Sequence, residues 1–274
     1  MSSLRFPHSY PAQSARHFIP VFLGGAVIGA LGGVIGLGGA EFRLPLLIGL
    51  FGFPALEAII LNKAMSLVVV ASALPFRAAT VPIGAIVENW SVIVNLLAGS
   101  LFGAWFGAGW AMRMKSELLH KIIAVLLLVI AMVLVFGHEV AGTGQPIVIG
   151  LYQTVAGVVA GVGIGLVASL LGVAGGELLI PTLILLFGVD IKLAGSLSLA
   201  VSLPTMLIGF ARYSRDQSFS VIARNYPFAW IMALGSVLGT FIGGQLLGII
   251  PGEMLLPLLA FILLVSSVKV WLHR

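Results

Sequence analysis

Lys63 directly follows Asn62 and precedes Ser66 by three residues, in a stretch whose other neighbours are apolar. In lipid, a lysine at mid-depth costs about 2.5–3.5 kcal/mol on insertion scales, so such a residue faces a cavity or a partner as a rule. One chemistry open to this set is anion binding. Lys63 would supply the charge, and Asn62 and Ser66 would donate hydrogen bonds. A structural reading stands beside it: Lys63 lies near a helix end and snorkels to water, or pairs with Glu57 or Glu41. Glu41 and Glu177 are the other buried-charge candidates. An ionised carboxylate repels an anion, so a carboxyl at an anion site implies proton coupling, with protonation accompanying binding. The alternative is a first-turn glutamate that favours a restarted helix through its dipole, with Arg43 as its salt-bridge partner.

Each glutamate follows a glycine cluster. The first is Gly36-Leu37-Gly38-Gly39-Ala40-Glu41-Phe42-Arg43-Leu44-Pro45, the second Gly172-Val173-Ala174-Gly175-Gly176-Glu177-Leu178-Leu179-Ile180-Pro181. Gly36, Gly39, Glu41 and Pro45 each reappear 136 positions later. Glycine and proline weaken helix continuity, so each cluster predicts a broken helix. A helix that restarts presents unpaired N–H groups and partial positive charge, which suits an anion. Gly36, Gly38, Gly39, Gly172, Gly175 and Gly176 would let backbone touch such a ligand, or would only permit close helix crossing. The counterpart of Lys63 is Leu199, with Ser196, Ser198 and Ser202 nearby. A shared site would then be asymmetric, with charge from one half and hydroxyls from the other.

Composition decides the environment. Hydrophobic residues make up 60% of the chain and charged residues 8%, with a mean hydropathy of +1.18. A soluble domain carries about 25% charged residues, so this chain has too little polar material to cover a surface in water. It reads as an integral membrane protein. The 35 glycines exceed the average share of about 7%, as close helix packing in lipid requires. With no cysteine, disulfides and thiolate sites are excluded. The net charge of +5 gathers in short loops and tails, which points to topology control and not to nucleic acid.

The apolar runs are about 18–40, 42–57, 59–80, 91–112, 118–137, 146–173, 177–189, 191–211, 227–248 and 251–272. Spanning takes about 20 apolar residues, so 42–57 and 177–189, which follow the glycine clusters, are half-helices, re-entrant segments or short tilted spans. The first run reads as a retained span, not a signal peptide. Among the connections and tails, the N-terminal tail, 113–121, 212–224 and the C-terminus are basic, whereas 81–90, 138–145 and 249–253 have no lysine or arginine and carry Glu88, Glu139 and Glu253. The positive-inside rule places both termini in the cytoplasm of the cell (inner) membrane. The expected organisation is a cytoplasmic tail 1–17, a first repeat 18–137, an external linker 138–145 and a second repeat 146–274.

Residues 29–66 and 165–202 are identical at 14 of 38 positions without a gap. Gly25 and Gly29 return as Gly161 and Gly165, and Gly99, Gly103 and Gly107 as Gly235, Gly239 and Gly243. An odd number of crossings separates equivalent points, so the halves have inverted topology. The expected fold class is an all-α integral membrane protein of two inverted-topology repeats. Each holds about five apolar segments (8–10 spans in all), with broken or re-entrant helices after the glycine clusters.

These residues resemble the sulfite exporter TauE/SafE family of anion permeases over essentially the whole chain. The resemblance rests on the two glycine-rich breaks followed by proline, on Asn62-Lys63, and on Gly195-Ser196-Leu197. Three consecutive glycines and a Gly-Thr-Ser step are common in the family, whereas this chain has Ala40-Glu41, Ala174 and Gly-Ser-Leu. Glu41, Glu177 and Arg43 lie outside the family pattern. The resemblance implies transport of sulfite, sulfonates or related small organic anions by alternating access, with lipid as the other partner and protons as a candidate coupling ion. A homodimer is compatible with it. A channel-like anion pathway is the first alternative. An intramembrane enzyme or assembly factor is the second, and the sequence offers it no nucleophile–base set.

The remaining features add little chemistry. The five histidines lie in tails and loops without metal-ligand spacing, and there is no phosphate-binding loop, so neither a metal nor any other cofactor is expected. Trp90, Trp110, Trp230 and Trp271 read as interfacial anchors. Arg77 and Arg212 follow the third segment of each half and either flank an entrance or anchor helix ends at the headgroups.

Overall fold

The structure, a computed structural model, describes residues 18–35, 39–78, 82–136, 146, 149–246, 264 and 268. The tail 1–17, the linker 138–145 and the run 251–272 (residues 264 and 268 apart) lie outside them, as do Gly36 and Gly38. Every regular element among the described residues is helical. Long apolar runs leave no water to satisfy backbone groups in lipid, and a helix satisfies them internally. The helices are α1 (Phe18–Ile35), α2 (Ala40–Gly49), α3 (Ala55–Ala78), α4 (Ile83–Glu88), α5 (Trp90–Ala111), α6 (Ser116–Phe136), α7 (Leu151–Leu171), α8 (Gly176–Phe187), α9 (Ile191–Tyr213), α10 (Val221–Arg224) and α11 (Tyr226–Leu246). A 3-10 turn, Gln217–Ser220, precedes α10. Five stretches are long and apolar enough to cross a membrane: Ala55–Ala73, Trp90–Ala111, Leu151–Leu171, Leu193–Tyr213 and Tyr226–Gly243.

The two expected breaks are present. Gly39, Gly172 and Gly175 have φ of 69°, 67° and 81°, a left-handed conformation that favours glycine. At the second break Val173 N–H donates to Ala168 C=O and Gly172 N–H to Ser169 C=O, the bonds that close a helix at a left-handed glycine. At ten residues, α2 is about 15 Å long, too short to cross a hydrocarbon core of about 30 Å. It doubles back along α1: Gly39 lies against the Ile28 carbonyl, and the Leu46 side chain reaches the Gly24 position. α8 behaves alike. Gly175 lies beside Ile164 and Ala168 of α7, and Gln153 Nε2, near the start of α7, donates to Leu186 C=O at 2.7 Å.

Glycines set the closest helix crossings. Gly25 and Gly29 of α1 face the backbone at Met232 and Ser236 of α11, so these helices run parallel. Gly161 and Gly165 of α7 face the backbone at Leu96 and Ser100 of α5 in the same way, with both members of each pair displaced by 136 positions. From the other side, Gly235 and Gly239 meet Phe22 and Ala26, while Gly99 and Gly103 meet Val158 and Val162. One end of the molecule gathers the start of α3, the start of α6 and the segment before α11. There Arg224 pairs with Glu57 at 2.8 Å, and Phe228 packs against Phe51 and Phe53 with ring centroids 4.9 and 5.3 Å away. Arg212 lies against Gly109, two residues before the end of α5, so the basic segments 113–121 and 212–224 lie at a common end of the molecule.

Candidate functional site

The two breaks meet at Asn62. Its Nδ2 donates to Ala40 C=O at 2.9 Å and to Leu171 C=O at 3.2 Å. Ala40 is the first residue of α2 and Leu171 the last of α7. One side-chain amide on the fully buried part of α3 thus ties the start of one interrupted helix to the end of the other. Gly172 allows this approach, because its α-carbon lies against the Ile59 carbonyl and an added Cβ would clash there. Neither α2 nor α8 has a side-chain cap at its N-terminus, so the first N–H groups of both carry no such partner.

Two cations flank this junction, both 0% exposed. Arg43 Nη1 donates to Asn62 Oδ1 at 3.3 Å and to Ser66 Oγ at 3.0 Å, and Nη2 donates to Ser236 Oγ at 3.1 Å. Ser66 in turn donates to Asn62 C=O at 2.7 Å. A cation in the first turn of a helix is opposed by the helix dipole, so Arg43 is held by side chains. It feels the charge of Glu41, 1% exposed, two residues earlier. The guanidinium hydrogen bonds go to α3 and α11, and not to the carboxylate expected as its salt-bridge partner.

Lys63 is placed differently. Its Nζ donates to Ala168 C=O at 3.4 Å, at the C-terminal end of α7, where the partial negative charge of the helix favours a cation. Glu57 is not its ion-pair partner among the described residues, since it pairs with Arg224. Nor does it reach water, so the snorkelling alternative does not apply. Gly209 makes room for it: a Cβ there would stand 3.0 Å from Nζ and 2.9 Å from Ser169 Oγ. Ser169 C=O accepts from Tyr213 Oη at 2.9 Å, and Ser169 Oγ donates to Ala104 C=O at 2.9 Å. Arg43 spends three contacts on neutral acceptors, whereas the ammonium of Lys63 has three donors and one long bond. Arg43 Nε is also buried without a hydrogen-bond partner among the described residues, so both cations keep capacity for a ligand, and Lys63 is the one held by a single long bond.

The profile of the family described as Sulfite exporter TauE/SafE matches residues 21–270, nearly the entire chain. The chain belongs to that family. Comparisons with curated proteins and with solved structures gave no significant match. As a TauE/SafE protein the chain is a multi-pass membrane transporter, and not an enzyme.

Several site residues expected in this TauE/SafE chain are brought together, and others are not. Asn62, Lys63, Ser66, Gly39 and Gly172 share the junction. Gly175 and Gly176 open α8, both buried. Ser198 Oγ turns to Gly195 C=O of its own helix at 2.9 Å. Ser196 Oγ is buried and has no hydrogen-bond partner among the described residues. Neither serine bonds to Asn62, Lys63 or Ser66. The hydroxyl that does reach the second break is Ser202, which donates to Ala174 C=O at 2.8 Å. The side chains of Glu177 and Arg77 lie outside the described residues, as do Gly36 and Gly38.

Sequence reasoning passed over Ser236, which completes the Arg43 cluster. A signal was available. Ser236 sits in Gly-Ser-x-x-Gly, and so does Ser100, 136 positions earlier. Ser100 Oγ shares a hydrogen bond of 2.7 Å with Thr205 Oγ1.

Proposed function

We propose that this TauE/SafE protein is a secondary permease for a small sulfur-containing or related organic anion such as sulfite or a sulfonate. It works by alternating access between two inverted halves, built from 8–10 spans with both termini in the cytoplasm. The observation that carries the reading is the Asn62 junction, where both helix breaks converge beside Lys63 and Arg43. A buried ammonium with one long bond gains most from an arriving anion, because charge-assisted bonds are about twice as strong as neutral ones. The uncapped ends of α2 and α8 add partial positive charge to the same region. Family membership supports the substrate class. The 136-residue displacement shared by the α1–α11 and α5–α7 contacts supports the repeat, and the basic residues gathered at one end support the orientation.

In this cycle the anion contacts Lys63, Asn62 and the break backbone, while Ser196 offers its spare hydroxyl from α9 and Ser198 follows only by turning from Gly195. Arg43, Ser66 and Ser236 hold α2 against α3 and α11, so α2 and α3 move as a unit. Glu41 and Glu177 are the candidates for a coupling proton. The test is counterflow of labelled sulfite and of a short sulfonate in proteoliposomes. A carrier shows saturation and stimulation by substrate on the far side. Wild-type vesicles that exchange neither anion refute the proposal, and flux without trans-stimulation would replace the carrier with a channel.

A further inference from the structure

Far along the chain from Lys63, two arginines share one indole. The Arg212 guanidinium carbon lies 4.8 Å from the Trp105 ring centroid and that of Arg215 lies 5.0 Å from it. Two like charges this close repel each other. Stacking on the electron-rich ring face offsets part of that, about 0.5–1 kcal/mol each at exposed sites. Among the described residues neither arginine has a carboxylate in ion-pair range. The adjacent Asp216 spends its Oδ1 on the Ser218 N–H at 2.8 Å. Arg212 Nε is buried and has no hydrogen-bond partner among the described residues.

The site is built and not accidental. Gly109 lies one helical turn beyond Trp105 on α5, and a Cβ there would stand 3.2 Å from Arg212 Nε and 3.3 Å from Nη2. The missing side chain is the bed in which the guanidinium lies. Location names the ligand class. The same half of α5 turns Phe102, Phe106 and Trp110 outward, and all three are exposed. Large apolar side chains facing out from a membrane helix face lipid tails. The pair therefore sits where that surface reaches its polar edge, at the basic end that includes Arg113 and Lys115. Lipid phosphates lie at that depth, and a phosphate oxygen pair matches the planar donors of a guanidinium.

We propose that Trp105, Gly109, Arg212 and Arg215 form a binding site for the phosphate of an anionic phospholipid headgroup. The lipid bridges the two arginines and fastens the end of α9 to α5. This proposal does not depend on the transport reading.

The test uses the full chain in detergent. Thermal unfolding is followed by circular dichroism with added phosphatidylglycerol, phosphatidylcholine or inorganic phosphate, and lipid retention by native mass spectrometry. Phosphatidylglycerol is expected to raise Tm by several degrees more than phosphatidylcholine and to survive as a bound adduct. Arg215→Gln, at an exposed position, lowers that increment, and Arg212→Gln with Arg215→Gln removes it. Arg212→Lys with Arg215→Lys keeps charge without the flat donor fork and retains only part of it. Gly109→Val, which fills the bed, abolishes the increment with both arginines present. Inorganic phosphate at millimolar concentration leaves the wild-type Tm unchanged. Equal stabilisation by the two lipids, or an undiminished phosphatidylglycerol increment in Arg215→Gln and Gly109→Val, overturns the proposal. An inorganic phosphate shift as large as that of the lipid would assign the site to a free anion and overturn the lipid assignment.

Discussion

Replacing Gly29 by alanine tests the architecture at the point where packing and site meet. An added Cβ would stand 2.7 Å from both the Cα and the carbonyl carbon of Ser236, and nearer still to its oxygen, where ordinary contact begins at 3.4 Å. The obstacle is backbone on both sides, so no rotamer relieves it. The helices α1 and α11 must part by about 1 Å, and overpacking of this kind costs about 1–3 kcal/mol. Alanine returns up to about 1 kcal/mol through helix propensity, leaving a net loss of about 1 kcal/mol. Ser236 is also the acceptor of Arg43 Nη2 at 3.1 Å. A shift of that size takes the bond past hydrogen-bonding range. Gly29→Ala should therefore lower thermal stability in detergent and also reduce anion exchange. Gly165→Ala, whose Cβ would stand 2.8 Å from Ser100 Cα, should cost similar stability without reaching Arg43. Gly163, in the middle of α7 with nothing within 4 Å of a Cβ, is the control, and its alanine variant should match wild type or exceed it. A Gly29→Ala protein as stable as wild type, or a Gly163→Ala protein destabilised equally, refutes the packing argument.

Lys63→Gln should cut anion exchange at least tenfold, about 1.4 kcal/mol of transition-state stabilisation, while leaving thermal stability unchanged or raised. A parallel fall in Tm and flux would make Lys63 a structural cap of α7. Asn62→Leu keeps the bulk but strips the amide from Ala40 C=O and from Leu171 C=O, the last carbonyl of α7, so unfolding should become easier by about 1–3 kcal/mol for the Leu171 carbonyl left bare. Unchanged denaturation would show that the two breaks do not depend on that amide. Arg224→Ala should shift stability by less than about 1 kcal/mol, because Arg224 is 58% exposed and its pair with Glu57 is screened by water and salt. A larger loss, insensitive to added salt, would give this ion pair a locking role.

The membrane setting, the helical class and the two interruptions were legible in the chain. Apolar runs of spanning length leave the backbone no other way to satisfy its hydrogen bonds, and glycine clusters fix where the helices stop. The junction was legible in part. Asn62, Lys63 and Ser66 announce themselves as polar residues in an apolar run, and the repeated glycine spacing marks which helix faces can approach closely. Ser196 and Ser198 were picked by the same reasoning, yet Ser198 serves its own helix and Ser202 reaches the second break.

What composition and spacing could not fix were the partners. Arg43 looked like the salt-bridge mate of a glutamate two residues away. Its hydrogen bonds instead go to residues 19, 23 and 193 positions along the chain. Lys63 looked like a charge in search of a carboxylate and found the carbonyl end of a helix 105 residues on. Local periodicity records what each helix must bury. Which donor meets which acceptor depends on how α2 folds back and how glycines let α1 and α7 close on their neighbours, and that is decided only when the helices pack.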